Sequence, residues 1–267
     1  MTKKKSPTTK LTELWDWSSR YQDNPDFNGM LIKTFADKAN TIPSVKAHRD
    51  FIEESQNRFN MIYGHGHRSL QYLWKVLVDE MPSEFSFLEI GVYKGQILSL
   101  IQMLSDLTGK KPNIVGVTPL FDAPFANYNR GPFIENIFKQ FGLTMANTRV
   151  LDGLSQDPKI SSIVSGVGPF DMVYVDGDHS YEATVFDIKK YGSMVKKGGF
   201  LVVDDCNDYK QIPQGTFKGI IEVSNAVRDT VEKDSFFREV LTCMHVRVWQ
   251  RIKDDSDIPA EEFWNSI

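Results

Sequence analysis

Apolar side chains in the first 80 residues recur at the three- and four-residue spacing that is typical of amphipathic helices. Three stretches carry such a stripe: Leu11–Tyr21, Val45–Tyr63 and Ser69–Met81. Pro82 then breaks the pattern. We therefore expect residues 1–80 to form a helical cap or oligomerisation region, followed by a second region over residues 81–267.

The pattern changes after Pro82 to short apolar runs that alternate with amphipathic stretches. The runs predict strands at Phe85–Ile90, Asn113–Val117, Asn147–Leu151, Met172–Val175 and Phe200–Val203, with one or two closing strands in Val240–Ile252. The amphipathic stretches predict helices at Gly95–Leu107, Pro132–Phe141, Tyr181–Val195 and Ile220–Glu232. This alternation predicts an α/β fold with a largely parallel sheet that is buried on both faces.

Carboxylates follow two of the predicted strands. Asp176 ends the run FDMVYVD, and Asp204 and Asp205 end the run FLVVDD. Ligands of open α/β sheets bind beyond the carboxyl ends of the strands, so we expect these three side chains to converge in one crevice. Crowded carboxylates repel each other, and a divalent cation such as Mg²⁺ or Mn²⁺ would remove that cost. His179 lies near enough to Asp176 in sequence to act as a base beside the ion.

Asp204 and Asp205 are adjacent, and successive strand residues point to opposite faces of a sheet. Both can face one ion only if the strand ends or bends there. Asn207 and Asp208, which are turn-forming residues, follow closely and favour such a bend.

A glycine-rich turn follows the first predicted strand, in the sequence FLEIGVYKGQ. Gly91 and Gly95 would allow the backbone to approach a ligand and the next helix to start close to the sheet. Their spacing is G-x-x-x-G, which differs from the G-x-G-x-x-G of dinucleotide-binding enzymes.

Four segments occur together in this order: FLEIGVYKG, GLSQD at Gly153–Asp157, FDMVYVDGDH and FLVVDD. Together they resemble the class I S-adenosylmethionine-dependent methyltransferases, and more narrowly the magnesium-dependent O-methyltransferases. GLSQD is similar to the GASQD segment of catechol O-methyltransferase. DGDHSY resembles the branch that methylates macrolide sugars and includes the cephalosporin-hydroxylase-type proteins. The resemblance covers roughly Phe85 to Asp205 and implies a Rossmann-like, doubly wound, mostly parallel seven-stranded sheet with an N-terminal helical extension.

The resemblance also implies roles for individual residues. The cofactor S-adenosylmethionine would contact Glu89, Gly91, Tyr93, Gly95, Thr118, Ser155, Gln156 and Asp176, with the first four residues named around its methionine part and Ser155 and Gln156 at the adenine. The metal ligands would be Asp176, Asp204 and Asp205. His179 would be the general base, with Asp176 as its catalytic partner.

Thr118 departs from the family pattern. At the end of the second strand, this class usually has an acidic residue that binds the ribose hydroxyls of the cofactor. A threonine can bond one hydroxyl but lacks the two-oxygen grip of a carboxylate. Asp122, four residues later, is a candidate substitute.

The amino-acid composition limits the classes of binding partner and the cellular compartment that we expect for this protein. The chain carries 31 basic and 35 acidic residues, and this balance argues against nucleic-acid binding. Its two cysteines suggest reduced thiols in a cytoplasmic protein. The sequence has no apolar run near the roughly 20 residues of a membrane span and no secretory signal pattern. We expect a homo-oligomer that acts on a small molecule or glycan, specifically on a sugar hydroxyl.

Several alternatives remain at this level. His179 could cap or orient the helix that follows it. His65 and His67 could bind a metal, although a polar loop at the mouth of the site is the preferred interpretation. Arg68 and Arg130 could meet an acidic acceptor. A dinucleotide-dependent oxidoreductase would share the fold, but the glycine spacing argues against it; a non-catalytic methyltransferase-fold module is the other alternative.

Overall fold

The computed structural model describes residues 25–59, 63–121, 129–208 and 213–254. Within these described residues, three helices precede the sheet: α1 (Pro25–Asn40), α2 (Pro43–Phe59) and α3 (Arg68–Glu80). The predicted helix over Leu11–Tyr21 lies outside the described residues. Helix α3 begins after His67, whose imidazole accepts a hydrogen bond from the Ser69 amide at 3.2 Å and so caps the helix.

The second region alternates strands and helices as the apolar pattern indicates. The strands are β1 (Glu84–Ile90), β2 (Lys111–Thr118), β3 (Thr148–Asp152), β4 (Phe170–Val175), β5 (Val195–Val203), β6 (Phe237–Cys243) and β7 (Val246–Arg251). The helices are α4 (Gln96–Thr108), α5 (Gly131–Gln140), α6 (Pro158–Val167), α7 (Tyr181–Gly192) and α8 (Ile221–Asp229), followed by a 3₁₀ turn at Val231–Lys233. Among these helices and α1 to α3, none is long and apolar enough to cross a membrane.

The described strands form one sheet in the order β3-β2-β1-β4-β5-β7-β6. Strand β7 runs in the direction opposite to that of the other six strands. This confirms the predicted doubly wound, mostly parallel, seven-stranded α/β fold. Helices α1 to α5 pack on one face of the sheet, and α6 to α8 pack on the other. Strands β2 and β4 flank β1 on opposite sides, so the order in which strands are added to the sheet reverses at β1. Such a reversal leaves a crevice at the carboxyl ends of these strands.

Some elements differ from the sequence-based expectation. Helix α6 was not predicted, because its sequence PKISSIVSGV is rich in Ser and Gly and buries only Ile160 and Val164. Its start is nevertheless clear in the structure: Asp157 accepts a hydrogen bond from the Lys159 amide at 2.7 Å. Helix α7 ends at Gly192 rather than Val195, because Val195 already pairs with Phe170 as the start of β5.

The three N-terminal helices share a core with the sheet. Leu73 and Leu77 of α3 are fully buried in the same apolar cluster as residues of β1, β4 and β5. Trp74 packs edge-on against Tyr174 of β4 at 4.8 Å and against Phe87 of β1 at 6.0 Å between ring centroids. Helices α1 to α3 are thus joined to the sheet through apolar contacts.

Candidate active site

The carboxyl ends of β4 and β5 bring two aspartates side by side. Val175 and Val203 are paired in the sheet, so the residues that follow them, Asp176 and Asp204, leave the sheet together. The Tyr174 hydroxyl lies 3.1 Å from Oδ2 of Asp176 and 2.5 Å from Oδ2 of Asp204. A hydroxyl has one proton to donate, so Tyr174 cannot donate a full hydrogen bond to both carboxylates at once.

Asp205 joins this pair because the chain turns sharply after β5. The strand ends at Val203, and Asp205 has a φ of +51°, in the left-handed region that non-glycine residues rarely adopt. Its amide donates to Oδ1 of Asp204 at 2.9 Å, and its carbonyl accepts from the Ile220 amide at 2.8 Å. The bend predicted from the turn-forming residues is confirmed, and it allows the two adjacent carboxylates to face the same crevice.

His179 stands on the open side of the carboxylates. Its Nε2 lies 3.7 Å from Oδ1 of Asp176 and 3.6 Å from Oδ2 of Asp205, and its side chain is 44% exposed. The cap of α7 is the hydroxyl of Ser180, which accepts a hydrogen bond from the Ala183 amide. The capping alternative for His179 is therefore wrong, and its imidazole is available to a ligand in the crevice.

His245 is a further member of the site that the sequence analysis missed. Its Nε2 lies 3.3 Å from Oδ1 of Asp204 and 4.0 Å from Oδ1 of Asp205. It belongs to none of the four motifs and stands between β6 and β7, in the stretch expected only to close the sheet. The available signal was weak: a histidine in a short turn between two apolar runs.

Burial and, after it, electrostatic repulsion shift the pKa values of the cluster. Burial raises the pKa of Asp176, repulsion from Asp204 raises it further, and the His179 imidazole partly offsets the effect. Burial and Asp204 likewise raise the pKa of Asp205. The Asp176 carboxylate in turn raises the pKa of His179. These directions describe an excess of negative charge that a bound cation would relieve.

The donor set fits a divalent cation. The described residues contain two groups of potential ligands, and in each group the ligand atoms lie within 4.8 Å of one another. One group consists of Asp176, His179 and Asp205, and the other consists of Asp204, Asp205 and His245. Carboxylate oxygens are the ligands that Mg²⁺ and Mn²⁺ prefer. The three predicted metal ligands, Asp176, Asp204 and Asp205, thus lie at the same edge of the sheet and are divided between two candidate groups that share Asp205.

The glycine-rich turn lies directly against this cluster. Gly91 has a φ of +97°, and a Cβ added to it would lie 1.8 Å from the carbonyl oxygen of Asp176. Gly95 is the N-cap of α4 with a φ of +83°, and a Cβ there would press against Ile134. Both positions therefore require glycine, and the close approach at Gly91 fixes the turn beside the carboxylates.

Glu89 provides the strongest indication of a cationic ligand at the turn. Its side chain is 3% exposed, and among the described residues its Oε2 has no hydrogen-bond partner. Burial, followed by repulsion from Asp176 and Asp204, raises the pKa of Glu89 well above its usual range. S-adenosylmethionine carries a sulfonium and an ammonium group, so its methionine part fits this environment. Tyr93, also expected at the cofactor, is partly exposed beside the same turn.

The remaining predicted cofactor residues lie at the carboxyl ends of β2 and β3. Thr118 ends β2 in a buried position, and its hydroxyl accepts a hydrogen bond from Arg130 Nη1 at 3.0 Å. Ser155 is buried, with its carbonyl bonded to a tyrosine hydroxyl of α7 at 2.5 Å. In the part of the chain that the structure describes, Gln156 Nε2 is buried without a hydrogen-bond partner, so this amide could donate to an adenine nitrogen. Asp122 lies outside the described residues.

The histidine-rich loop before α3 has structural roles. His67 caps α3, and the His65 carbonyl accepts a hydrogen bond from Gln96 Nε2 at 3.2 Å. Within the described ranges, neither residue belongs to a group of candidate metal ligands. Arg68 binds Asp50 at 2.7 Å and Glu53 at 2.6 Å, so α2 already neutralises this candidate for an acidic acceptor.

Comparison with known proteins agrees with this geometry. Residues 88–206 match the family model described as a methyltransferase domain. The uncharacterized protein R132 of Acanthamoeba polyphaga mimivirus is 30% identical over 135 residues, which cover 49% of this chain and 56% of that protein. The chain therefore spans just over half the length of this curated relative.

Solved structures establish the fold. The O-methyltransferase from Bacillus cereus in complex with SAH superposes with a TM-score of 0.54 at 11% identity, over 82% of this chain and 99% of that one. The MycE methyltransferase of mycinamycin biosynthesis, in complex with Mg, SAH and mycinamycin VI, gives a TM-score of 0.50 at 18% identity, over 79% of this chain and 57% of that one. At such identities the likeness concerns the fold alone.

Proposed function

We propose that this chain, whose residues 88–206 match the model of a methyltransferase domain, transfers a methyl group from S-adenosylmethionine to a hydroxyl oxygen. The observation that carries the proposal is the contact between the glycine-rich turn and the acidic cluster. Gly91 approaches the carbonyl of Asp176 so closely that no side chain fits between them. A donor bound at the turn and an acceptor bound at the cluster would therefore meet.

Cofactor binding would rely on groups that lack partners among the described residues. The Glu89 carboxylate would pair with the ammonium group, and the Gln156 amide would donate to the adenine. Thr118, hydrogen-bonded to Arg130, would contact a ribose hydroxyl in place of the usual acidic residue. The cofactor supplies a methyl group that is activated by its attachment to a positively charged sulfur.

We also propose that Asp176, Asp204 and Asp205 hold Mg²⁺ or Mn²⁺. A bound divalent cation lowers the pKa of an acceptor hydroxyl and fixes its direction. The support is the burial of these carboxylates, followed by their mutual repulsion; together they raise the pKa of Asp176 and of Asp205. The MycE structure, which contains Mg, shares this architecture.

His179 would accept the proton that the acceptor hydroxyl loses. Its Nε2 faces two carboxylates of the cluster, yet 44% of its side chain remains exposed, so an acceptor can reach it from solvent. Asp176 raises the pKa of His179, which makes the neutral imidazole a stronger base. Asp176 thus has two roles, since it would bind the cation and orient the imidazole.

The acceptor class that we propose is a sugar hydroxyl in a polysaccharide or a glycosylated natural product. The support is the resemblance of the DGDHSY segment to macrolide-sugar enzymes, together with the fold shared with MycE, whose complex contains mycinamycin VI. Two neighbouring hydroxyls of a sugar could occupy the crevice beside the carboxylates. Another small hydroxylated or phosphorylated metabolite is the alternative acceptor.

Transfer of labelled methyl groups from S-adenosylmethionine tests the proposal directly. The purified chain would be assayed on nucleotide sugars, glycans, catechols and phosphorylated metabolites, with Mg²⁺, with Mn²⁺ and with a chelator. We expect methylated sugars only when a divalent cation is present. Activity confined to catechols would refute the acceptor class, and an absence of S-adenosylhomocysteine binding by calorimetry would refute the methyltransferase function.

A substitution of His179 tests the assignment of the base. His179→Gln should leave S-adenosylhomocysteine affinity unchanged and lower turnover by about 10²-fold, as expected for loss of a general base. His67→Gln is the matched control: it removes the cap of α3 outside the cluster and should lower thermal stability with little effect on turnover. Unchanged turnover in His179→Gln would show that another group takes the proton.

A further inference from the structure

His245 is held in place by the same turn that carries the carboxylates. Strands β5 and β7 pair antiparallel with Val203 opposite Arg247, so the turn that holds His245 lies beside the chain that follows Val203. The His245 carbonyl accepts a hydrogen bond from the Cys206 amide at 3.0 Å. The tip of the β6–β7 hairpin is therefore tied to the chain that immediately follows Asp205.

Further contacts restrict the imidazole itself. Asn207 Nδ2 donates to the Met244 carbonyl at 2.6 Å, and Met244 has a φ of +56°, a conformation that costs free energy for a residue with a side chain. The ring of Phe217 packs edge-on against the His245 ring with centroids 5.1 Å apart. These restraints direct Nε2 of His245 towards the carboxylates, and the side chain is only 14% exposed.

The separations match those of ligands on a common ion. Nε2 of His245 lies 3.3 Å from Oδ1 of Asp204 and 4.0 Å from Oδ1 of Asp205. Two ligands at right angles around an ion with bonds of about 2.1 Å are separated by about 3 Å. The nitrogen thus needs only a small adjustment to share an ion with these oxygens.

Resting on the proposed metal-assisted methyl transfer, we propose that His245 is a fourth protein ligand of the divalent cation and that this imidazole gives the site a preference for first-row transition ions such as Mn²⁺ over Mg²⁺. Mg²⁺ favours oxygen ligands, whereas imidazole binds transition ions well. The four motifs of the chain contain only the three carboxylate ligands, so this preference arises from the hairpin.

The two histidines differ in position, and this divides their roles. His179 is on the exposed side of the cluster, where an acceptor enters. His245 lies behind Asp204 and Asp205, and among the described residues its buried Nδ1 accepts or donates no hydrogen bond. The neutral tautomer with the proton on Nδ1 leaves Nε2 free to bind an ion. We therefore assign the ligand role to His245, which is less exposed, and the base to His179, although His179 also lies in a candidate ligand group with Asp176 and Asp205.

Electron paramagnetic resonance on the metal-stripped, full-length chain tests this inference without an acceptor. Titration with Mn²⁺ measures its affinity, competition measures that of Mg²⁺, and pulsed spectra detect a nitrogen bound to Mn²⁺. We expect nitrogen coupling in the wild type and Mn²⁺ affinity at least about tenfold above that of Mg²⁺. His245→Gln should abolish the coupling and weaken Mn²⁺ binding by at least about tenfold, the lower end of the effect of losing even an outer-shell partner.

His179→Gln is the matched control and should retain the nitrogen coupling. Mn²⁺ binding without nitrogen coupling in the wild type would overturn the role of His245 and leave the three-carboxylate site intact. Coupling lost in His179→Gln but kept in His245→Gln would also overturn it. No Mn²⁺ binding by the wild type would refute the proposed metal site itself, and the inference with it. Circular dichroism verifies that each variant folds. The nitrogen coupling in the wild type tests the inference even if a variant fails to fold.

Discussion

Gly91 is the residue at which the proposed donor and acceptor sites touch. The space at this position admits a hydrogen atom but no side chain. A methyl group there would lie 1.8 Å from the carbonyl oxygen of Asp176. That oxygen belongs to the backbone, and the backbone also fixes the position of a Cβ, so no rotamer change relieves the overlap. The φ of +97° adds strain for any other residue.

Gly91→Ala should therefore weaken S-adenosylhomocysteine binding at least about tenfold, which corresponds to 1.4 kcal/mol or more of lost binding free energy. Calorimetry measures this affinity. Gly109→Ala is the matched control, because Gly109 also has a positive φ, of +67°, but a Cβ there would meet nothing within 4 Å. The control should lose some thermal stability and keep its affinity. Equal affinities in the two variants would contradict the assigned role of the turn.

At the scale of elements, helix α7 carries a buried acidic residue against the loop that bears Asp176. Asp187 is fully buried, and a Cβ at Gly177 would lie 3.3 Å from its Oδ2. Within the described part of the chain, neither of its oxygens accepts a well-formed hydrogen bond, and the nearby Ser155 hydroxyl offsets only part of the cost. Burial, followed by repulsion from Asp178, raises the pKa of Asp187 to about 7.

The direction of this shift predicts how stability changes with pH. The folded chain keeps the Asp187 proton up to a pKa of about 7, whereas the unfolded chain releases it near 3.8, so the folded state binds more protons between these values. Asp187 therefore lowers the free energy of unfolding progressively as pH rises through that window. Asp187→Asn should remove this contribution and raise the melting temperature at pH 8 relative to the wild type.

Thermal unfolding measured from pH 4 to pH 8 would reveal the effect as a flatter profile for Asp187→Asn. Asp37→Asn is a suitable control, because the Asp37 side chain is largely exposed and pairs with Lys33 on the surface of α1. A wild-type profile with the same slope as Asp187→Asn between pH 4 and 7 would contradict the assignment.

At the scale of the whole molecule, the N-terminal helices support the site from below. Trp74 of α3 is 3% exposed and packs against the ring of Tyr174, whose hydroxyl bridges Asp176 and Asp204. The contact connects α3 to the carboxylates through the side chain of Tyr174. Whether these residues also mediate oligomerisation stays a prediction from the sequence.

Trp74→Ala should lower the free energy of unfolding by about 3–5 kcal/mol, the usual cost of deleting a large buried aromatic side chain. Urea denaturation followed by circular dichroism measures it. Leu107→Ala, which truncates a half-exposed residue of α4, serves as the control and should change stability by less than about 0.5 kcal/mol. A loss of less than 1 kcal/mol in Trp74→Ala would show that α1 to α3 contribute little to the stability of the sheet.

The apolar pattern predicted most of the sheet, because strands that are buried on both faces appear in the sequence as short continuous apolar runs. Five parallel strands were located within a few residues, and the fold class followed from their alternation with helices. Helix α6 escaped because it buries little. The positions of Asp176, Asp204 and Asp205 were also predictable, since the ends of parallel strands meet at one edge whatever the details of packing.

The sequence by itself thus determined the architecture and the chemistry available at the carboxyl edge of the sheet. Only the tertiary structure decided that Arg130 binds Thr118 and that His245 faces Asp204 and Asp205. The contact of His245 depends on the antiparallel pairing of β7 with β5, in which Val203 lies opposite Arg247, 44 positions later in the chain (247 − 203). Local periodicity records which side chains are buried, but it carries no information on register between distant strands, so the fourth candidate ligand became visible only in the folded chain.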